Sequence, residues 1–137
     1  MPQYPSGLAV SGVIQPSLDV CFYFLEGDML FYGTTGTVQI ELKDRQGEYF
    51  NPLGDILVSV FGLDSIGSVM EPASIVGIAS QELLEMTPMC GRYYFEFDTS
   101  RIPVAADRAL VRASIPYNGS TVLWQRSVQI QDPEMLT

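Results

Sequence analysis

The chain has 137 residues, 47% of them hydrophobic and 11% aromatic, so its length fits one domain that can bury a core without metal or disulfide cross-links. Sixteen acidic residues face one lysine and six arginines, which gives a formal net charge of −9. This balance argues against binding to DNA, RNA or an anionic membrane, because each of those partners needs a basic surface.

The first element in chain order is an extended N-terminal arm at residues 1–16, which contain three prolines, two glycines and two serines. The arm is either a disordered terminus or a segment that orders against a neighbouring subunit. On the second interpretation its large side chains are candidate partner-binding residues: Tyr4, Leu8, Val10, Val13 and Ile14. The start has neither a basic region nor an apolar stretch, so no secretory signal is predicted, and no segment reaches the roughly 20 apolar residues of a membrane-spanning helix.

Alternation of apolar and polar residues predicts strands in the first half of a domain at residues 17–131. These strands are Leu18–Phe24, a short run at Met29–Tyr32, the clear alternation of Val38–Lys43, and Ile56–Val60. Turns are predicted at Asp44–Gly47 and Asn51–Gly54, where Asp, Asn, Gly and Pro are concentrated.

The middle of the chain, residues 63–89, has a weaker pattern. Ile75–Ile78 is a predicted short strand, and Gln81–Met86 fits either one helical turn or an edge strand. Because proline is excluded from central strands, Pro72 and Pro88 favour edge strands and a long connection here.

Three further strands are predicted between Gly91 and Ile130, followed by a tail at residues 132–137. They are Tyr93–Asp98, Val111–Tyr117 and Val122–Ile130, and Asn118-Gly119 is typical of the type I′ hairpin between the last two. Tyr94 is opposite in phase to the predicted core residues of its strand, so we expect it to be exposed, and it is a candidate partner-binding residue. The total of seven or eight strands, without strand–helix alternation, predicts an all-β sandwich of mostly antiparallel strands.

The arginines are concentrated in the second half of the chain. Residues 1–91 hold eleven acidic and two basic residues, whereas residues 92–137 hold five acidic residues and five arginines. Since arginine suits interface ion pairs better than lysine does, Arg112 is a further candidate partner-binding residue. The alternative is that these arginines are solvated on strand surfaces.

Residues with catalytic potential are sparse, and we predict no enzyme activity, catalytic residue, cofactor or metal site. The chain has no histidine, which is the most frequent general base and metal ligand. Without a histidine to activate them, Cys21 and Cys90 are expected to be free thiols packed as small hydrophobic residues, with a disulfide as the alternative. Glu96 and Asp98 are expected to be surface acids.

Two stretches resemble known domains. Gly91–Ser100, with the strand to Tyr117, the Asn118-Gly119 turn and Trp124–Ile130, resembles the back half of an immunoglobulin-like domain. Filamin-type modules and the immunoglobulin-like domains of tailed-phage virion proteins share such a Gly-x-Tyr strand, a proline-containing connection and a returning hairpin. Gly36–Val60 resembles their front half. The resemblance implies a single immunoglobulin-like β-sandwich, and such domains generally have no catalytic residues.

From this resemblance and the acidic, lysine-poor composition we expect a viral structural protein. The leading hypothesis is a bacteriophage capsid decoration (cement) protein that assembles into the virion in the host cytoplasm, binds the major capsid or other virion proteins and forms a homo-oligomer. A phage tail or neck component is the nearest variant. A carbohydrate- or cell-binding adhesion module that uses exposed aromatic residues is the alternative from a different class.

Overall fold

The computed structural model describes residues 19–131 except residues 26 and 28. In this part of the chain nine β-strands and one 3₁₀ turn, η1, follow one another. They are β1 Asp19–Phe24, β2 Met29–Phe31, β3 Thr35–Lys43, β4 Leu57–Leu63, β5 Val69–Ile78, β6 Ser80–Leu84, β7 Thr87–Asp98, η1 Thr99–Arg101, β8 Arg108–Tyr117 and β9 Ser120–Gln131. The predicted arm at residues 1–16 and the tail at residues 132–137 lie outside the described residues.

The strands form two sheets, which confirms the predicted all-β sandwich, although the described residues contain nine strands where seven or eight were predicted. One sheet has the order β1-β3-β7-β6 and the other the order β2-β9-β8-β4-β5. All these pairings are antiparallel except the parallel pairing of β2 with β9. The order corresponds to strands A-B-E-D and G-F-C-C′ of an immunoglobulin-like sandwich, with β2 as an added strand beside G.

The core lies between the two sheets and is built from the alternation seen in the sequence. Val38, Ile40 and Leu42 of β3 and Val111, Ala113 and Ile115 of β8 are completely buried. On the returning strand β9 the inward positions are only partly buried. Val128 is buried, but Trp124, paired with Ala113, is 37% exposed, because only the last three residues of β9 pair with β2.

The region at residues 63–89 differs from its prediction in two ways. The predicted long connection is wrong: β5 and β6 lie in different sheets and only Ala79 separates them. Ala79 is buried and its N–H donates to the Ile56 carbonyl oxygen at 2.9 Å, which anchors the point where the chain changes sheets. The helical turn is also wrong, and the edge-strand interpretation is correct, since β6 is the last strand of its sheet.

Both prolines of this region occupy positions that a sheet tolerates. Pro72 lies in the edge strand β5 at a break in register between Met70 and Ile75. Pro88 lies in the first part of β7, where β6 pairs with it but β3 does not, since β3 pairs only with Arg92–Asp98. Neither proline therefore removes a hydrogen bond from the middle of a sheet.

A two-residue turn of unfavourable composition joins β6 to β7. Leu84 pairs with Thr87, and the intervening Glu85 and Met86 both have positive φ angles, 50° and 70°. Positive φ at both central positions is the pattern of a type I′ turn, which normally contains Asn and Gly. The predicted hairpin at Asn118-Gly119 has the same pattern, with φ angles of 51° and 77°.

We expect Met86→Gly to raise the free energy of unfolding by about 1 kcal/mol, because glycine adopts positive φ without steric strain and the Met86 side chain is 86% exposed. Urea denaturation followed by circular dichroism measures the change. The reciprocal control, Gly119→Met, should lower the free energy of unfolding by a similar amount. A destabilised Met86→Gly variant would show that the Met86 side chain makes contacts that outweigh its backbone strain.

A buried corner connects η1 to the β2–β3 turn. The Thr99 hydroxyl is fully buried, accepts a hydrogen bond from the Thr34 N–H at 2.9 Å and lies 2.6 Å from the Thr34 carbonyl oxygen.

Asp98, exposed as predicted, caps η1 by accepting hydrogen bonds from the Ser100 hydroxyl and backbone N–H. These two donors lower the pKa of Asp98. Asp98 therefore favours the folded state above its unfolded pKa, and this contribution is lost as pH falls through the lowered value.

Candidate interaction face

One outer surface of the sandwich, formed by the outward side chains of β4, β5, β8 and β9, is here termed the five-strand face. The antiparallel registers align these side chains in rows across the strands. One row contains Ile78, Leu57, Ser114 and Leu123, and the next contains Val76, Ser59, Arg112 and Gln125. Because adjacent strands are about 4.8 Å apart, each row extends over about 14 Å of nearly continuous surface.

Apolar side chains dominate the exposed part of this face. Leu57 is 49% exposed, Ile78 52%, Leu123 63% and Val76 66%. Outward positions of antiparallel sheets are usually polar where they meet water. Adjacent exposed apolar residues of this kind are typical of surfaces that bind another protein.

The other end of the five-strand face is covered by the chain itself. Phe61, Leu63 and Leu110 point outward but are at least 91% buried, and Ala73 packs against them. Ala73 lies in the part of β5 that leaves the register between Met70 and Ile75. The departure of β5 from its register therefore shields half of the apolar outer face and leaves the half around Leu57 open.

Arg112 lies between these two halves of the five-strand face. Its Nε–H donates to Gln125 Oε1 at 3.2 Å, and its guanidinium carbon is 5.0 Å from the centroid of the Phe61 ring. The side chain is half-buried. The structure thus places the predicted residue Arg112 beside the exposed apolar row.

The opposite surface, the outward side of β1, β3, β7 and β6, is termed the four-strand face and is polar, apart from the end of β6, where Leu83 and Leu84 are exposed. Its rows contain Tyr23, Gln39, Tyr94 and Ser80, then Cys21, Glu41 and Arg92. Its side chains bond to one another: Gln39 Nε2 donates to Glu82 Oε2 at 2.8 Å, and the Tyr23 hydroxyl to Glu41 Oε2 at 3.5 Å. Burial, and then the negative charge of Glu41, raises the pKa of Tyr23.

Tyr94 is on the four-strand face, so the structure does not bring the two predicted strand residues together. It points away from the core as expected, but it is half-buried among its polar neighbours rather than fully exposed. The arm candidates Tyr4, Leu8, Val10, Val13 and Ile14 lie outside the described residues.

The cysteines Cys21 and Cys90 are free, as predicted, but both are exposed, so the prediction that they are packed is wrong. Cys21 is exposed because it occupies an outward position of β1.

A surface cleft of about 470 Å³ lies at one end of the sandwich, between the residue 50–53 loop and the β8–β9 hairpin. Phe50 and Tyr117 contact each other there, with ring centroids 5.3 Å apart. Beside the cleft, Asn51 Oδ1 accepts hydrogen bonds from the Gly91 N–H at 2.8 Å and the Tyr93 hydroxyl at 3.1 Å. These hydrogen bonds attach the residue 50–53 loop to β7, so the Asn51 side chain has a structural role.

The described residues contain no group of three or more His, Cys, Asp or Glu side chains that could hold a metal ion. In the same part of the chain no helix is long and apolar enough to cross a membrane.

Sequence reasoning missed the apolar row of the five-strand face, although a signal for it was present. In a strand with one buried face, outward positions are expected to be polar, but Leu57 and Leu123 are apolar at such positions. Each has apolar neighbours on both sides in the sequence, Ile56 and Val58 for Leu57 and Val122 and Trp124 for Leu123. A strand that is apolar in both phases needs cover on both of its faces. Cover on the outer side can only come from another element or another molecule.

Comparisons with known proteins bear on the fold. No family model matches the chain, and no curated protein sequence does. Among solved structures, the endo-β-1,4-mannanase of Thermotoga petrophila matches 83% of this chain with a TM-score of 0.51 and 20% identity. The alkylpurine DNA glycosylase AlkC of Pseudomonas fluorescens matches 85% with a TM-score of 0.44 and 10% identity. The aligned part spans only 20% of the mannanase chain and 31% of the glycosylase chain, and the likeness to the mannanase shows a shared sandwich fold alone.

Proposed function

We propose that the chain is a non-enzymatic protein-binding domain of a tailed-phage particle, a capsid decoration protein in the leading form. The observation that carries the proposal is the open apolar row of Ile78, Leu57 and Leu123 on the five-strand face, beside Arg112. Adjacent exposed apolar side chains are typical of protein-binding surfaces, and arginine is one of the residues that most often contribute strongly to the binding energy at protein interfaces.

The phage context of the proposal comes from the immunoglobulin-like resemblance and from the acidic composition of the chain. In this scheme the five-strand face packs on a capsid subunit, which removes its apolar side chains from water. The arm at residues 1–16 adds buried area on a neighbouring subunit. A tail or neck protein would use the same face on a different virion component.

A second candidate, a carbohydrate-binding module, is favoured by one observation. Tyr23 and Tyr94 flank Gln39 in one row of the four-strand face, so the two tyrosines are about 10 Å apart on a polar surface. Aromatic rings on a flat polar sheet are suited to stacking on sugar rings. Retention on immobilised glycans that is lost in Tyr94→Ala, with no binding to capsids, would favour this candidate.

Co-sedimentation with empty capsids tests the leading proposal. The capsids are assembled from the major capsid protein encoded in the same genome as this chain, and we expect the full chain to sediment with them at a fixed stoichiometry. Deletion of residues 1–16 should weaken this binding by about tenfold, as expected for the loss of a few buried apolar side chains. The proposal is contradicted if the full chain stays in the supernatant, or if that genome encodes no capsid protein.

A further inference from the structure

Two contacts from its own sheet restrict the orientation of Arg112. The Nε–H bond to Gln125 Oε1 restricts the guanidinium edge, and the Phe61 ring, itself almost fully buried, supports the guanidinium plane. Arginine carries five N–H donors in a planar fork, so one donor is used and the four on the two terminal nitrogens are left. A fork held in advance loses less side-chain entropy when it binds a carboxylate in a two-point contact.

Those terminal nitrogens have no carboxylate partner among the described residues. The contacts of Arg112 in that part of the chain are the ones to Gln125 and Phe61. This contrasts with Arg92 on the four-strand face, which donates to the Tyr49 hydroxyl at 2.9 Å and stacks on its ring.

Three of the four strands that form the five-strand face differ in charge from the whole chain, whereas the fourth, β5, contains the exposed Glu71. The outward positions of β4, β8 and β9 include two arginines, Arg108 and Arg112, and no acidic residue. These positions are Leu57, Ser59, Phe61, Leu63, Arg108, Leu110, Arg112, Ser114, Pro116, Thr121, Leu123, Gln125, Ser127, Gln129 and Gln131. A chain with a net charge of −9 therefore has a local cationic site next to its exposed apolar row.

We infer that the five-strand face recognises an extended partner segment in which a carboxylate side chain follows an apolar side chain by two residues. Two residues along an extended strand span about 6.6 Å, which is the separation between the row of Leu57 and the row of Arg112. The apolar side chain of such a segment would pack on Leu57 and Leu123, and its carboxylate would bind the Arg112 fork. This inference rests on the proposed function, for which it specifies the chemistry of the partner.

A second copy of the chain is a poorer occupant of this face. In a second copy packed face to face, the outward positions of β4, β8 and β9 include Arg108 and Arg112 and no carboxylate, so these three strands offer the Arg112 fork no acidic partner. The exposed Glu71 lies in the edge strand β5. Like charges that are desolvated together oppose association. The carboxylate-bearing segment removes this cost, because it supplies the missing negative charge.

The test is an NMR titration of the full-length ¹⁵N-labelled chain with two peptides that differ at one position, acetyl-TLTETLT-amide and acetyl-TLTQTLT-amide. We expect the glutamate peptide to shift the Arg112 Nε–Hε resonance and to bind about tenfold more tightly than the glutamine peptide, which is the usual contribution of a charged hydrogen bond. In Arg112→Gln the two peptides should bind equally. Arg108→Gln, which replaces an exposed residue of the same strand, should keep most of the preference for the glutamate peptide.

Several results would overturn the inference. The inference is wrong if the two peptides bind the unaltered chain equally, or if Arg112→Gln keeps the preference for the glutamate peptide. It is also wrong if neither peptide shifts the Arg112 resonance. Concentration-dependent broadening of five-strand face resonances without peptide would instead identify a second copy as the occupant. All of these outcomes are distinguishable from failure of the proposed function, because capsid binding is measured separately and does not depend on the peptides.

Discussion

Gly91→Ala is expected to lower the free energy of unfolding by about 3 kcal/mol. This value combines the strain of an alanine in the left-handed backbone conformation with the steric overlap of its Cβ atom. Gly91 is buried in β7, directly before the part that pairs with β3, and has a φ of +74°. A Cβ atom there would lie 2.7 Å from the Leu42 carbonyl oxygen and 3.1 Å from the Phe50 nitrogen. Both are backbone atoms, and they hydrogen-bond to each other at 3.3 Å, so displacement of either one alone weakens that bond.

Gly47→Ala is the matched control for this variant. Gly47 has a similar φ of +82°, but a Cβ atom at Gly47 would have no neighbour within 4 Å. Its replacement should cost only the left-handed strain, about 1 kcal/mol. Urea denaturation of both variants gives the difference, which isolates the close approach of the backbone at Gly91. Equal losses in the two variants would show that the loop at residues 48–51 moves away freely.

Leu57→Glu is expected to weaken capsid binding by at least about thirtyfold, the effect of losing a central interface residue. The substitution places a charge in the middle of the apolar row, and the new carboxylate can reach Arg112, which lies diagonally across the β4–β8 pair. Because Leu57 is already 49% exposed, the fold should tolerate the change. Circular dichroism and urea denaturation verify the fold, and co-sedimentation measures binding.

Leu53→Glu provides the same chemical change away from the five-strand face. Leu53 lies in the loop before β4 and is fully exposed, so its replacement should leave binding within about twofold of the unaltered chain. If Leu57→Glu binds capsids as well as Leu53→Glu does, the five-strand face is not the capsid-binding surface.

Much of the fold was predictable because burial on one side of a strand leaves a period of two in the sequence. The alternation around Ile40 and around Ala113 identified β3 and β8 and their buried side chains correctly. The hairpin after β8 was predictable because Asn118-Gly119 is the preferred composition of its turn. These features are local, and each can be inferred from fewer than ten consecutive residues.

The missed features depend on distant parts of the chain. The change of sheet at Ala79 depends on the hydrogen bond to Ile56, more than twenty residues away, and an alanine has no pattern that indicates it. The β6–β7 turn has a composition that contradicts its backbone angles, since Glu85 and Met86 are poorly suited to positive φ. In that case tertiary pairing of β6 with β7 overrides local preference.

The candidate site was predicted less well than the fold. Arg112 was selected for its residue type, and the structure adds the Gln125 and Phe61 contacts that hold it. Leu57 and Ile78 were assigned to strands but not to a surface, because an apolar residue in a continuous apolar run is normally taken as core. Only the cross-strand register shows that the two lie side by side on the outer face.

Thiol footprinting of the capsid-bound chain tests most directly whether the five-strand face is the binding surface. The native Cys21 reports on the four-strand face, and Leu123→Cys places a second reporter thiol on the five-strand face. Alkylation by iodoacetamide is followed by mass spectrometry. We predict that capsid binding slows alkylation at position 123 by about tenfold or more and changes the alkylation rate of Cys21 by less than about twofold. This is the result expected if the capsid covers the five-strand face and leaves the four-strand face open. Protection of Cys21 together with unchanged reactivity at position 123 would contradict the account.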